Sequence, residues 1–300
     1  MTSHDRDRRT RRDLLKLGAA GAAGLCVGGL DLFGAEASAA AAKGKGKPIP
    51  VALQLYSVRN ECGKDGGKDL AKVVQAVAKM GYEGVEFAGY HRWKPKDLRK
   101  LLDDNGLTCC GTHTGLGALL GGSFQRTVEF HKTIGCKFII VPGMPGQYTK
   151  NAEGWKNAAE VFNEIAGKLK PLGMYTGYHN HSSEFRKMGD TTPWDIFFGG
   201  TVKEVVMQLD TGNCMGGGGD PVAIMKKYPG RQLTLHMKEH GGDAKTVVGE
   251  GTCPWKEIIK LARTTGGTRW HIIEHERAGQ PPLEAVKKCL VNFKKIQADV

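Results

Sequence analysis

Six short apolar runs in this chain end in a carboxylate or an imidazole. Glu86 closes one run and His113 follows the next. His179-Asn180-His181, Asp210, His236 with Lys238, and Glu274-His275-Glu276 close four more, while Gln54 and Tyr56 stand on the first run of all. A lone His after an apolar run is more often a hydrogen-bonded structural residue than a ligand. A set that recurs at one phase of a repeat is different, because crowded carboxylates repel one another unless a cation or a partner neutralises them. Mixed imidazole and carboxylate donors suit Mn²⁺, Zn²⁺, Co²⁺ or Fe²⁺, whereas an all-oxygen set would favour Mg²⁺ or Ca²⁺. A single divalent metal ion is therefore the expected cofactor, and its natural chemistry is removal of a proton next to a polarised carbonyl.

Side chains so far apart in sequence need a scaffold that brings strand ends together. The apolar runs predict strands at Val51–Tyr56, Gly84–Phe87, Thr108–Thr112, Phe138–Val141, Tyr175–Tyr178, Val205–Leu209, Leu233–Leu235 and Trp270–Ile273. Amphipathic segments between them predict helices at Leu70–Met80, Lys96–Asn105, Phe124–Ile134, Ala152–Leu172, Pro193–Phe198, Pro221–Tyr228, Trp255–Arg263 and Pro282–Ile296. Met80-Gly81 and Asn105-Gly106 place Gly where a helix wants a left-handed cap, and Pro stands at several helix starts, where its missing N–H costs nothing. Eight strand–helix units in about 250 residues is the size of an α/β (β/α)₈ TIM barrel, whose active sites lie at the C-terminal ends of the strands. An open doubly wound sheet is the rival, but the first strand lacks a Gly-x-Gly-x-x-Gly turn.

Residues 1–39 read as a leader outside that barrel. Thr10-Arg11-Arg12-Asp13-Leu14-Leu15-Lys16 resembles a twin-arginine export signal, and an apolar stretch from Leu17 to Phe33 precedes an Ala37-Ser38-Ala39 cleavage site. The stretch is shorter than the roughly 20 apolar residues a membrane span needs, so no stable membrane anchor is expected. The expected organisation is leader 1–39, linker 40–50 and barrel 51–300, with the twin-arginine export machinery as partner and the periplasm as destination. Net charge is +12, but the Lys residues are spread over helical faces without an aromatic-interleaved basic run, which argues against nucleic acid. Of the 8 Cys, Cys26 lies in the leader; seven remain, without a Cys-x-x-Cys pair, which argues against a disulfide framework or a zinc cluster.

The strand ends Leu53-Gln54-Leu55-Tyr56-Ser57-Val58-Arg59, Tyr178-His179-Asn180-His181-Ser182-Ser183-Glu184-Phe185, Leu209-Asp210-Thr211-Gly212-Asn213 and Leu235-His236-Met237-Lys238, with Gly249-Glu250-Gly251 before Trp255, resemble the sugar phosphate isomerase/epimerase group of the xylose-isomerase-like barrels. The resemblance covers residues 51 to about 297. It implies a metal held by His179, Asp210, His236 and Glu274, from strands five to eight, with His181 open as an alternative to His179. The first position departs from the group, which carries Glu there in many epimerases; His179 removes one of the two carboxylates that exchange a proton across the two faces of a substrate. Asn213 also stands where some epimerases carry His.

His181 shares the side of its strand with His179 and is the first choice of base; Lys238 would bind a developing enolate oxygen, and Glu274 would share in catalysis. Glu86, His113, Glu184 and Asn213 are the expected substrate-binding residues. The leading expectation is isomerisation, epimerisation or β-elimination through an enediolate, on a non-phosphorylated sugar or a 3-keto-glycoside. Its rivals are a non-catalytic carbohydrate-binding barrel and an endonuclease IV-like phosphodiesterase.

Overall fold

A computed structural model describes residues 48–63 and 69–300 of the 300-residue chain. The expected leader, and the linker as far as residue 47, lie outside the described residues. Eight parallel strands close into one barrel in sequence order: β1 (Val51–Gln54), β2 (Gly84–Phe87), β3 (Thr108–His113), β4 (Phe138–Val141), β5 (Tyr175–His179), β6 (Val206–Asp210), β7 (Thr234–Met237) and β8 (Trp270–Ile273). The barrel expectation holds, and the open doubly wound alternative is excluded by the β1–β8 pairing.

The outer ring follows from helical periodicity. It comprises α1 (Leu70–Met80), α2 (Pro95–Asp104), α3 (Phe124–Thr133), α4 (Ala152–Leu169), α5 (Pro193–Gly200), α6 (Pro221–Lys227), α7 (Trp255–Thr264) and α8 (Pro282–Ala298). In α1 the buried residues are Leu70, Val73, Val74 and Val77, and in α7 they are Trp255, Ile258, Ile259 and Ala262. Both sets recur at i, i+3, i+4 and i+7, the one-face spacing of a helix lying on a sheet. Gly81 caps α1 with φ 93°, a left-handed conformation that a side chain would strain. Pro opens α2, α5, α6 and α8 within the first helical turn. Among the described residues, no helix is long and apolar enough to cross a membrane.

Two expected elements end early by two residues or more. The first strand stops at Gln54 because its side-chain Oε1 accepts the backbone N–H of Tyr56, turning Leu55–Val58 into a 3₁₀ turn. The long helix expected to reach Leu172 stops at Leu169, where Pro171 interrupts and Gly173 takes a left-handed conformation.

Strand alternation sorts the barrel interior into levels. Side chains two apart on a strand share a face, so Ala52 and Gln54, Val206 and Gln208, Thr234 and His236, and Ile272 and Glu274 point the same way. Ala52, Cys110 and Ile272 pack with Trp270, and Phe138, Ile140 and Val206 pack with Tyr175, Leu233 and Trp270, in clusters separate from the main core. One step further along each strand the interior turns polar: Gln54, Glu86, Gln208, Thr234 and His236 are all fully buried. Such groups are tolerated only when bonded to one another, and the polar level is the floor of the site. Cys109 joins the outer core and Cys110 the inner cluster, the opposite orientations that alternation predicts for neighbours. All seven cysteines of the described residues are free and buried.

Candidate metal centre

Strand ends β5 to β8 bring four donors to one point. One donor atom from each of His179, Asp210, His236 and Glu274 lies within 4.8 Å of every other, close to the roughly 4.4 Å that separates opposite ligands of an ion bound at about 2.2 Å. All four residues are buried. A second, overlapping group joins His113 to His179 and His236 within the same spread.

The bonding of these residues fits a cation. Asp210 Oδ1 accepts the backbone N–H of Asn213, capping the short helical turn Thr211–Gly216, while Oδ2 is buried with no hydrogen-bond partner. Nδ1 of His179 is likewise buried and unpartnered. Orphaned buried polar atoms are costly unless something meets them, and here two belong to one four-residue cluster. His236 offers Nδ1 at 2.6 Å from Glu274 Oε2 and 3.9 Å from Asp210 Oδ2. Its other nitrogen, Nε2, lies 2.6 Å from Glu86 Oε2.

The charges around this point pull in different directions. Burial, reinforced by the neighbouring rings of His236 and His113, holds His179 well below the usual imidazole range, so one ring nitrogen keeps its lone pair available. Burial pushes the Asp210 carboxyl up to about 7, with Lys238 opposing and Glu274 adding to the rise. Burial also opposes the charge on Glu274, yet Lys238 and His236 hold that carboxyl well below the carboxylate range. Burial works against a charged His236, but Glu86 and Glu274 raise it to about 10. A divalent ion would relieve the crowding of carboxylates and replace the proton shared between Glu274 and His236.

Lys238 extends from the end of β7 across the rim. Its Nζ donates to Glu274 Oε1 at 3.2 Å and to Glu276 Oε2 at 2.8 Å, and these charges with that of Asp210 outweigh burial and raise its pKa. His181 is exposed, with its ring centre 5.3 Å from that of His179. The backbone beneath it is fixed: its N–H donates to Glu184 Oε2 at 2.8 Å, and Glu184 Oε1 accepts from the Tyr178 hydroxyl at 2.8 Å. Both oxygens of Glu184, expected at the substrate, are therefore engaged within the protein. Glu86, expected there too, is fully enclosed below the cluster and accepts from Gln54, Gln208 and His236. His113 is partly exposed and donates from Nε2 to Gln208 Oε1 at 2.7 Å, its ring stacked on His236 with centres 5.3 Å apart. Asn213 donates from Nδ2 to the carbonyl of Asn180 at 3.2 Å. Tyr56 is exposed, its ring under the Arg59 guanidinium.

Three contributors went unrecognised in the sequence. Asn180 turns its side-chain amide onto the backbone of Asp210, accepting from N–H at 2.8 Å and donating to C=O at 3.1 Å, which ties the end of β5 to that of β6. Gln208 sits two residues before Asp210, on the same face of β6, and that parity was a readable signal. Glu239, one residue past Lys238, accepts from the backbone N–H groups of His240, Gly249 and Cys253 and from Trp255 Nε1. It folds the loop of residues 239–254 beside the centre, a task that the sequence alone does not distinguish from that of Glu250 in Gly249-Glu250-Gly251.

A sequence model of the xylose isomerase-like TIM barrel family matches residues 74–292. An inosose dehydratase from Clostridium perfringens is 28% identical over 280 residues, covering 77% of this chain and 91% of the relative. One from Clostridium beijerinckii is 24% identical, covering 73% and 86%. Among solved structures, a sugar phosphate isomerase/epimerase from Parabacteroides distasonis superposes with a TM-score of 0.69 at 25% identity, over 80% of this chain and 96% of that one. A match across most of the chain, joined to the closed barrel with its donors at the strand ends, settles the lineage: this chain belongs to the xylose isomerase-like TIM barrel family.

Proposed function

We propose that this chain is a divalent-metal-dependent enzyme that removes the proton next to a carbonyl in a sugar or cyclic polyol ketone, with β-elimination as the reaction its site favours. The observation that carries the reading is the convergence of His179, Asp210, His236 and Glu274, two of which hold a buried atom without a partner. These four residues would hold the metal, and a bound divalent ion there would polarise the carbonyl and an adjacent hydroxyl oxygen.

The remaining work falls to the chain's own side chains. His181, anchored through Glu184 and open to solvent, takes the proton from the carbon next to the carbonyl. The electron pair left behind shifts onto the carbonyl oxygen. Lys238 has three N–H donors and spends two of them on Glu274 and Glu276, leaving one for that developing charge. When the pair returns, the bond to the oxygen substituent one carbon further breaks, and the departing oxygen is protonated. The imidazolium of His181 can supply that proton.

Elimination is preferred to epimerisation because of His179. Delivering a proton to the opposite face needs a second base across the substrate, and a buried neutral imidazole in the cluster replaces the carboxylate that would serve. The relatives named inosose dehydratases fit this preference, since a dehydratase removes water from its substrate. A non-phosphorylated substrate suits the rim. Both Nη groups of Arg277 donate to the carbonyls of Gly241 and Asp243, and Lys238, held by two carboxylates, keeps a single N–H, which the developing charge takes, so neither offers a phosphate paired donors. A 3-keto-glycoside meets these requirements, and the twin-arginine-like segment Thr10–Lys16 with Ala37-Ser38-Ala39 supports export out of the cytoplasm, to where phosphorylated sugars are scarce.

The test is incubation of metal-loaded protein with keto-glycosides and inososes in deuterated water. Deuterium uptake at the carbon next to the carbonyl, with cleavage or loss of water, is the expected result. Absence of both exchange and elimination across the series would overturn the reading.

A further inference from the structure

Glu86 is a carboxylate that the fold has taken trouble to bury. It is fully enclosed on β2, and its oxygens meet donors: Gln54 Nε2 at 2.7 Å and His236 Nε2 at 2.6 Å on Oε2, and Gln208 Nε2 at 2.8 Å on Oε1. His113 Nε2 lies 3.2 Å from Oε2 as well. Two backbone features make room for it. The β2–β3 register shifts between Val85 and Glu86, so that Val85 faces Cys109 and Glu86 faces Gly111. Such a bulge re-aims the side chains beside it. A Cβ at Gly111 would stand 2.5 Å from Glu86 Oε1, so only glycine leaves the carboxylate where it lies.

The amides around Glu86 are oriented by their other bonds. Gln54 Oε1 accepts the N–H of Tyr56, so its NH₂ must face Glu86. Gln208 gives its NH₂ to Glu86 and Thr234, so its Oε1 accepts from Nε2–H of His113. An unprotonated His236 Nε2 would face Glu86 Oε2 as one acceptor against another at 2.6 Å, so the proton must be on Nε2. Nδ1 faces Glu274 Oε2 at the same 2.6 Å and shares a proton with it; a cation beside Asp210 Oδ2 and Glu274 would displace that proton and leave Nδ1 as the donor atom, while the proton on Nε2 stays with Glu86. We propose that Glu86 is a positioning residue for the metal centre: seated against Gly111, it fixes His236 in the Nε2–H tautomer, while through Gln208 it does the same for His113. The inference rests on the metal reading above and goes beyond it, since Glu86 touches neither the cation nor the substrate.

The test uses Co²⁺, whose visible absorption reports ligand number and geometry, titrated into the purified chain and into Glu86→Gln and Gly111→Ala. Glu86→Gln turns an NH₂ group towards donors, and Gly111→Ala pushes the carboxylate from the other side without altering it. Both variants are expected to bind Co²⁺ about 10- to 100-fold more weakly, with altered absorption bands, while the melting temperature of the metal-free protein falls much less. Nitrogen-15 spectra of the histidines in the Zn²⁺-loaded protein should show Nε2–H for His236 and His113 in the parent and a mixture in Glu86→Gln. Parent protein that binds Co²⁺, with variants equal to it in affinity and spectrum, overturns the role of Glu86. Weaker binding with unchanged bands and tautomers reduces Glu86 to a packing residue and also overturns it. Failure of the parent to bind Co²⁺ overturns the metal reading itself, and this inference with it.

Discussion

Oε2 of Glu274 stands 2.6 Å from Nδ1 of His236, although the two residues lie on different strands and both atoms are natural acceptors towards a cation. The unpartnered Oδ2 of Asp210 lies 3.9 Å from the same nitrogen. An ion that binds only the folded arrangement must stabilise it. At a concentration 100 times its dissociation constant, the gain is about 2.7 kcal/mol. For a barrel of this size that corresponds to a rise of roughly 5–10 °C in melting temperature on loading with Mn²⁺, Zn²⁺ or Co²⁺. Chelation should reverse the rise, and thermal melts with and without chelator measure it.

His181 lies outside the four-residue cluster, with its ring beside that of His179. His181→Ala should therefore keep the metal and lose turnover, with kcat falling about 10²- to 10⁴-fold, the usual worth of a positioned base. Steady-state kinetics together with metal analysis of the same preparation check this. Loss of metal along with activity would move His181 into the ligand set.

The barrel was legible in the sequence because eight apolar runs alternate with amphipathic segments whose buried residues repeat at helical spacing, as in α1 and α7. The converging donors were legible for the same reason, since residues at strand ends share one rim. Depth was not. Glu86 falls two residues beyond Gly84 on an ordinary-looking strand, and only the register shift against β3 and the space left by Gly111 show that it lies beneath the centre. Nor was the use of Glu184 and Asn180 readable, because both act on backbone atoms brought near by turns whose shape no periodicity encodes.

Glu239 accepts four N–H groups from the loop that flanks the centre, and those bonds hold its carboxyl below the usual range despite burial. Glu239→Ala leaves the N–H groups of Cys253 and Gly249 and the indole of Trp255 without their acceptor. Cys253 and Trp255 are buried whereas Gly249 is exposed, and each buried orphan costs about 1–3 kcal/mol, so a loss of roughly 2 kcal/mol or more is expected in urea unfolding. A change below about 0.5 kcal/mol would show that the loop is held by other means.

His271 on β8 is fully buried against Phe293, with Nε2 unpartnered, and burial aided by Arg263 lowers its pKa to about 3. The folded protein thus keeps this ring neutral, while the unfolded chain protonates it near pH 6.5. Its favourable state is present above that value and is lost as the pH falls from 6.5 towards 3. Between pH 7 and pH 5 the loss is about 2 kcal/mol. His271→Gln removes the titration, so its denaturation midpoint should change less over that interval than that of the parent; equal changes would refute the assignment.

The central claim is that side chains from β5, β6, β7 and β8 share one divalent ion, and metal stoichiometry after equilibrium dialysis tests it most directly. Parent protein should retain one Mn²⁺, Zn²⁺ or Co²⁺ per chain, while His179→Ala and Glu274→Ala should each retain far less at the same free metal concentration and still fold. Parent protein that retains no metal, or variants that retain as much as the parent, would contradict it.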